Sequence, residues 1–84
     1  MSMYKNRNGS RNNICGLNIK ELRQSITPPV SQRALADRMQ LVGIDLDKNA
    51  IQRIESGARF VTDVELVAFA KIFNVSVSDL LEGR

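Results

Sequence analysis

Residues that end helices divide this chain into short segments, and these breaks constrain its fold more than any other feature. The pair Pro28-Pro29 cannot lie inside a helix, because proline lacks a backbone N–H and its ring clashes with the preceding turn. Gly43, Gly57 and Asn74 each follow a stretch whose apolar residues have helical spacing. The breaks therefore predict a set of short helices packed around one small core.

Each predicted helix has a residue suited to begin it. Side chains that can accept a hydrogen bond from the backbone are favoured at this position. The five predicted starts are Asn18, Ser31, Asp47, Thr62 and Ser76. Three of them are followed at capping-box spacing by an acidic residue, namely Glu21, Glu65 and Asp79.

The apolar residues of these segments recur at the spacing of one helix face. In the second helix they are Leu35, Met39 and Val42, and in the third they are Ala50, Ile51 and Ile54. The fourth helix is predicted to bury Leu66, Phe69, Ala70 and Phe73, and the last to bury Leu80 and Leu81. No strand pattern competes with them, so the predicted fold class is all-α.

The composition argues against an enzyme and against a metal site. The sequence has no His, one Cys and no glycine-rich phosphate loop, so neither nucleophilic catalysis nor a usual zinc site is expected. The stretch 45–49 resembles half of a calcium-binding loop. Ala50 and Ser56, however, stand where that loop needs a glycine and a bidentate glutamate. We therefore expect no cofactor, no metal and no small-molecule ligand.

Apolar runs in this chain are far shorter than a membrane span, and the N-terminus lacks the apolar core of a secretory signal. The single thiol of Cys15 cannot form an internal disulfide, so nothing suggests an oxidising compartment. These features predict a cytoplasmic protein with no membrane partner.

Charge is distributed unevenly along the sequence. Residues 1–59 hold ten Lys and Arg against five Asp and Glu, whereas residues 60–84 hold two against four. Residues 1–15 include Lys5, Arg7 and Arg11 and no acidic residue, so they are predicted to be a flexible basic arm preceding a folded domain over residues 16–84. The asymmetry favours a polyanionic partner at the N-terminal end, although an ordinary solvated surface explains it as well.

The order of parts from Ser31 to Gly57 resembles the Xre family of helix-turn-helix regulators, which includes the phage Cro and repressor proteins. The matching residues extend over about residues 16–82 and are Leu22-Arg23, Ser31-Gln32, Leu35-Ala36, Ile51, Arg53-Ile54-Glu55, Gly57, Leu66, Ala70-Lys71, Val75 and Leu80-Leu81. The resemblance implies a compact five-helix, lambda-repressor-like domain. Its second and third helices would form the helix-turn-helix, and its third would lie in the DNA major groove.

The resemblance also implies roles for individual residues. The base-reading residues would be Lys48, Asn49, Gln52 and Arg53. The residues that contact phosphate would be Gln32, Arg33, Ser56 and Arg59. Arg23 and Glu55 would form a structural ion pair that orients the third helix.

One departure from the family pattern lies inside the motif. The stretch from Leu35 to Glu55 is longer than the family's tight turn implies. Either the second helix extends through residues 39–42 or the turn is longer, and the sequence leaves both open.

Two functions are expected from these features. The first is a sequence-specific regulator of transcription, acting as a repressor, that binds double-stranded DNA as a homodimer. The alternative is a protein-binding adaptor or an antitoxin-type module of the same fold. The outward polar and basic residues of the third helix favour DNA.

Overall fold

The computed structural model describes residues 11–82, and within that range it contains five α-helices and no strand. The helices are α1 (Gly16–Ser25), α2 (Gln32–Leu41), α3 (Lys48–Ser56), α4 (Asp63–Phe73) and α5 (Val77–Leu81). This confirms the predicted all-α class. None of these helices is long and apolar enough to cross a membrane.

Four of the five predicted helix starts are confirmed. The side chains of Ser31, Asp47, Thr62 and Ser76 each accept a hydrogen bond from the backbone N–H three residues later. The boxes at Thr62 and Ser76 are complete, with the acidic side chain bonding back to the cap residue. The predicted ends are also present, because Gly57 (φ 87°) and Asn74 (φ 56°) adopt the left-handed conformation that closes α3 and α4.

The predicted start of α1 is wrong. The helix begins two residues before Asn18, and it is Asn13 whose side-chain oxygen accepts a hydrogen bond from Gly16 N, at 2.7 Å. Asn18 is buried, and its amide donates to the main-chain oxygens of Leu80 and Glu82, both at 2.8 Å. The residue that the sequence suggested as a helix cap therefore connects α1 to α5.

Within residues 11–82 the buried core is aliphatic apart from Cys15, Met39 and the ring of Phe69. Its buried residues are Cys15, Ile19, Val30, Leu35, Ala36, Met39, Leu46, Ile51, Ile54, Ala68, Phe69, Ala70 and Leu80. Val42 and Leu81, predicted to be buried, are 50% and 37% exposed. Val42 is the C-cap of α2 and so leaves the helical face, and Leu81 is the last residue of α5. Ile44 packs against the core after α2 instead.

The predicted arm is only partly described, since residues 1–10, including Lys5 and Arg7, lie outside the described residues. Residues 11–15 differ from the expectation of a flexible arm. Cys15 is 2% exposed, and Arg11, Asn12 and Asn13 are hydrogen-bonded to the end of α3 and the loop that follows. The folded unit therefore begins before residue 16.

Candidate nucleic-acid interface

Helix α3 presents two chemically different faces. Ile51, Ile54 and Glu55 are buried against the rest of the protein. The other face exposes the polar side chains of Lys48, Asn49, Gln52 and Arg53. None of these four side chains forms a hydrogen bond or ion pair with another residue of the described part of the chain, so their donors and acceptors face solvent. The four candidate base-reading residues thus lie together on one exposed surface.

A buried ion pair holds α3 against α1. The guanidinium of Arg23 donates to both carboxylate oxygens of Glu55, at 2.7 and 2.9 Å, and also to the main-chain oxygen of Val30 at 3.0 Å. The side chains of Arg23 and Glu55 are only 11% and 3% exposed. The structure therefore contains the expected pair, and its two parallel bonds fix the orientation of the planar guanidinium.

Gln32 extends this network to α2. Its side-chain amide donates to Glu55 Oε1 at 3.0 Å, so Glu55 has partners on both α1 and α2. The expected phosphate contact of Gln32 would have to use the remaining amide hydrogen or replace this bond. Arg33, the next residue, is exposed in the first turn of α2. Ser56 is also exposed, and its hydroxyl donates to Arg53 O at 3.2 Å.

Arg59 has a different environment from the one the resemblance implies. Its guanidinium donates to both carboxylate oxygens of Glu65, at 2.9 and 3.0 Å, and to the main-chain oxygen of Phe60. The hydrogen bond from Arg59 lowers the pKa of Glu65 below its ordinary value, although burial acts in the opposite direction. Arg59 therefore anchors the start of α4, and a phosphate would have to displace Glu65.

The connection between α2 and α3 contains both of the alternatives left open by the sequence, because the helix extends and the turn is also long. Helix α2 ends at Leu41, and residues 42–47 form a long turn. The turn is held by a hydrogen bond from Ile44 N to Met39 O at 2.9 Å and by one from the Gln40 amide to Leu46 O at 3.0 Å. Leu46 is buried, which anchors the turn in the core before α3 begins. The added length is therefore divided between the end of α2, which includes residues 39–41, and an ordered turn over residues 42–47.

A shallow groove separates the exposed sides of α2 and α3. The residues that line this α2–α3 groove are Arg33, Ala36, Asp37, Gln40, Asp47, Lys48 and Asn49. Two cations and two carboxylates meet here. The carboxylate of Asp47 accepts from Ala50 N at 2.8 Å and so serves the helix, whereas Asp37 is exposed. The groove has mixed charge, and Asp37 is its feature least favourable to a polyanion.

Sequence reasoning missed the residues that cover the C-terminal end of α3. Arg11 Nη2 donates to Glu55 O at 2.9 Å, and the Asn13 amide donates to Ile54 O at 3.0 Å and to Arg59 O at 2.7 Å. The bond from Arg11 supplies a partner for a carbonyl at the helix end, the first bond from Asn13 adds a second donor to Ile54 O, and the other fixes the loop at Arg59. The only signal in the sequence was an asparagine shortly before a helix, because the partners lie more than 40 positions away.

No cluster of three or more His, Cys, Asp or Glu residues is placed to hold a metal ion within residues 11–82. No protein-family model, curated protein or solved structure matches this chain.

Proposed function

We propose that this protein is a cytoplasmic, sequence-specific regulator of the Xre type that binds double-stranded DNA. In this proposal α2 and α3 form the helix-turn-helix, and α3 lies in the major groove. The observation that carries the proposal is the exposed polar face of α3 opposite a buried ion pair. The pair joins the helix to α1, while four exposed side chains on its other face make no hydrogen bond or ion pair with other described residues.

The chemistry of this face suits base recognition. Lys48 and Arg53 can donate to O6 and N7 of guanine, and Asn49 and Gln52 can pair with N6 and N7 of adenine. Lys48 and Asn49 are the first two residues of α3, which is the end of a recognition helix that contacts base edges. A correct contact of this kind discriminates against the wrong base by about 1–3 kcal/mol.

Phosphate contacts would come from the residues flanking α3. Arg33 and the free backbone N–H groups at the start of α2 supply positive charge and donors, and Ser56 supplies a hydroxyl at the far end of α3. Gln32 would join them while keeping its bond to Glu55.

One helix reads few base pairs, so binding is proposed to occur as a homodimer on half-sites about 34 Å apart. Occupation of such a site would repress transcription.

Selection of bound sites from random duplex DNA tests the proposal. The expected result is a palindromic site whose affinity falls steeply with salt concentration. Lys48→Ala and Asn49→Ala should each relax the preference at individual base pairs. Lys20→Ala, which removes an exposed lysine of α1, is the matched control and should leave the preference unchanged.

If the selection enriches no DNA sequence, the proposal is overturned and the adaptor or antitoxin-type module is favoured. An enriched site that is unaffected by the changes at Lys48 and Asn49 would retain DNA binding but reject α3 as the reading element.

A further inference from the structure

Helix α4 exposes apolar residues on the side that faces away from the core. Val64 and Val67 are 61% and 44% exposed, and Val42 at the end of α2 is 50% exposed beside them. Together they border a groove, called the α4 groove below, of about 390 Å³. The residues that line it are Val42, Ile44, Asp63, Val64, Val67, Ala68 and Lys71. A helix that is apolar beyond its core-facing stripe has a second surface to bury.

Two opposite charges flank this apolar surface. Asp63 and Lys71 both line the α4 groove and are exposed, and neither forms an ion pair within residues 11–82. They lie four residues before and four residues after Val67, which places each about 6 Å along the helix axis from it. Residues spaced by four form one ridge on a helix surface. Along this ridge the order of residues is therefore Asp63, Val67 and Lys71, with the valine at the centre.

This arrangement is complementary to itself. If a second copy of α4 packs antiparallel with a two-fold axis at Val67, Asp63 of each copy lies opposite Lys71 of the other. The two valines then meet at the axis. A two-fold interface requires this kind of surface. If residue 63 of one copy contacts residue 71 of the other, the symmetry repeats the same contact from residue 71 of the first copy to residue 63 of the second. We propose that the α4 groove is the homodimer interface of this protein, with Val67 on the axis and two Asp63–Lys71 pairs across it.

The proposed interface is separate from the candidate DNA-binding surface. None of the residues lining the α4 groove belongs to α3, so Lys48, Asn49, Gln52 and Arg53 remain exposed in such a dimer. The opposite charges lie at equal distances on either side of Val67, as a two-fold axis requires. A helix of another protein would impose no such symmetry, so this placement favours a second copy of this chain. The inference concerns the protein without DNA and does not depend on its proposed function.

Sedimentation velocity on the full chain in the absence of DNA tests the interface. The wild type should shift from the mass of one chain to that of two as concentration rises. Val67→Glu should weaken dimerisation at least tenfold, because it buries two unpaired carboxylates at the axis. Leu17→Glu is a matched control on an exposed apolar residue of α1, and it should have no effect. Circular dichroism checks that each variant keeps its helices.

Charge reversal tests the pairing itself. Asp63→Lys and Lys71→Asp should each weaken the homodimer about tenfold, because each places like charges opposite one another. A mixture of these two variants should form heterodimers, since all pairs across the axis are then attractive. The double variant should dimerise like the wild type.

Three results would overturn the inference. One is a wild type that stays monomeric at every concentration, which would leave the groove to a different partner. Another is dimerisation that survives Val67→Glu but is lost in Leu81→Glu, which would move the interface to α5. The third is a mixture of the two charge variants that forms no heterodimer.

Discussion

The side-chain amide of Asn13 lies 3.0 Å from the main-chain oxygen of Ile54, and this contact joins the segment before α1 to the last turn of α3. The same nitrogen donates to Arg59 O, and the side-chain oxygen accepts from Gly16 N. The side chain of Asn13 thus bonds the first N–H of α1, a carbonyl in the last turn of α3 and the loop that follows. The start of α1 packs closely against the end of α3 around Asn13, because a Cβ at Gly16 would collide with the main-chain oxygen of Ile54.

Asn13→Ala is expected to lower the free energy of unfolding by about 1–3 kcal/mol, because Gly16 N and Arg59 O would lose their part-buried hydrogen bonds to this side chain. Urea denaturation followed by circular dichroism measures it. Asn12→Ala is the matched control, because Asn12 is exposed and its side chain makes only one described bond, 3.2 Å to Ala58 O. Equal losses in the two variants would show that Asn13 has no special role.

The local part of this fold could be predicted from the sequence, whereas a distant contact could be predicted only where the family resemblance supplied it, as for Arg23 and Glu55. Ser31, Asp47, Thr62 and Ser76 begin helices because each side chain bonds a backbone group three residues away. Asn18 has the same local pattern, yet it bonds carbonyls of α5 more than 60 positions away.

The candidate site divides in the same way. The exposed face of α3 could be predicted from the apolar spacing of Ile51 and Ile54, because one helix face determines the other. The partner of Arg59 could not, because nothing in the spacing showed that its guanidinium would bond Glu65. The sequence alone does not distinguish an arginine that is available to phosphate from one that is paired with a carboxylate of the same chain.

The Arg59–Glu65 pair should make stability depend on pH in the acid range. The pKa of Glu65 is lowered from its ordinary value of 4.5 in the folded protein, chiefly by the hydrogen bond from Arg59. The stabilisation is therefore fully present above about 4.5, and it is lost as pH falls through the lowered value. The difference in unfolding free energy between wild type and Glu65→Gln should be largest at neutral pH and should shrink on acidification.

Denaturant titrations at several pH values measure that difference. Glu82→Gln, at an exposed residue with no ion pair in the described range, is the control and should show a smaller pH-dependent difference. A difference for Glu65→Gln that stays constant from neutral to acid pH would contradict the assignment.

Cys15 should react slowly with thiol reagents in the folded protein. Its side chain is buried, and burial raises the pKa of the thiol from 9.0 to about 11. Only about one thiol in a thousand is then ionised at pH 8, and the thiolate is the reactive form. Labelling measured at pH 8 should be fast in denaturant and slow without it. Rapid labelling under native conditions would show that the segment preceding α1 opens readily.

Asp37→Asn is expected to strengthen DNA binding. Asp37 is exposed in the α2–α3 groove beside Arg33 and Lys48, where its charge would repel phosphate. The repulsion between two unit charges a few ångströms apart in water is about 1 kcal/mol, so affinity should rise about fivefold. Titration of the selected duplex at fixed salt measures the change. Glu82→Gln raises the net charge by the same amount at an exposed site outside the groove. If it raised the affinity for DNA as much as Asp37→Asn does, the location of Asp37 in the groove would not explain the effect.

Removal of the Glu55 carboxylate should destabilise the protein more than the loss of the Asn13 amide does. Glu55→Ala would leave the guanidinium of Arg23, whose side chain is 11% exposed in the wild type, with no carboxylate partner and would also remove the acceptor of Gln32. The expected loss is about 3–5 kcal/mol in the free energy of unfolding, measured by urea denaturation. DNA binding should fail in this variant because α3 is no longer held in place, even though Glu55 itself is buried and cannot reach DNA.

The double variant Arg23→Met with Glu55→Leu separates the cost of an unpaired charge from the contribution of the pair. Because two apolar side chains leave no buried charge, this variant should recover most of the stability lost in Glu55→Ala. Recovery of DNA binding along with stability would show that the pair acts by orienting α3. A melting temperature for Glu55→Ala equal to that of the wild type would refute the structural role of the pair.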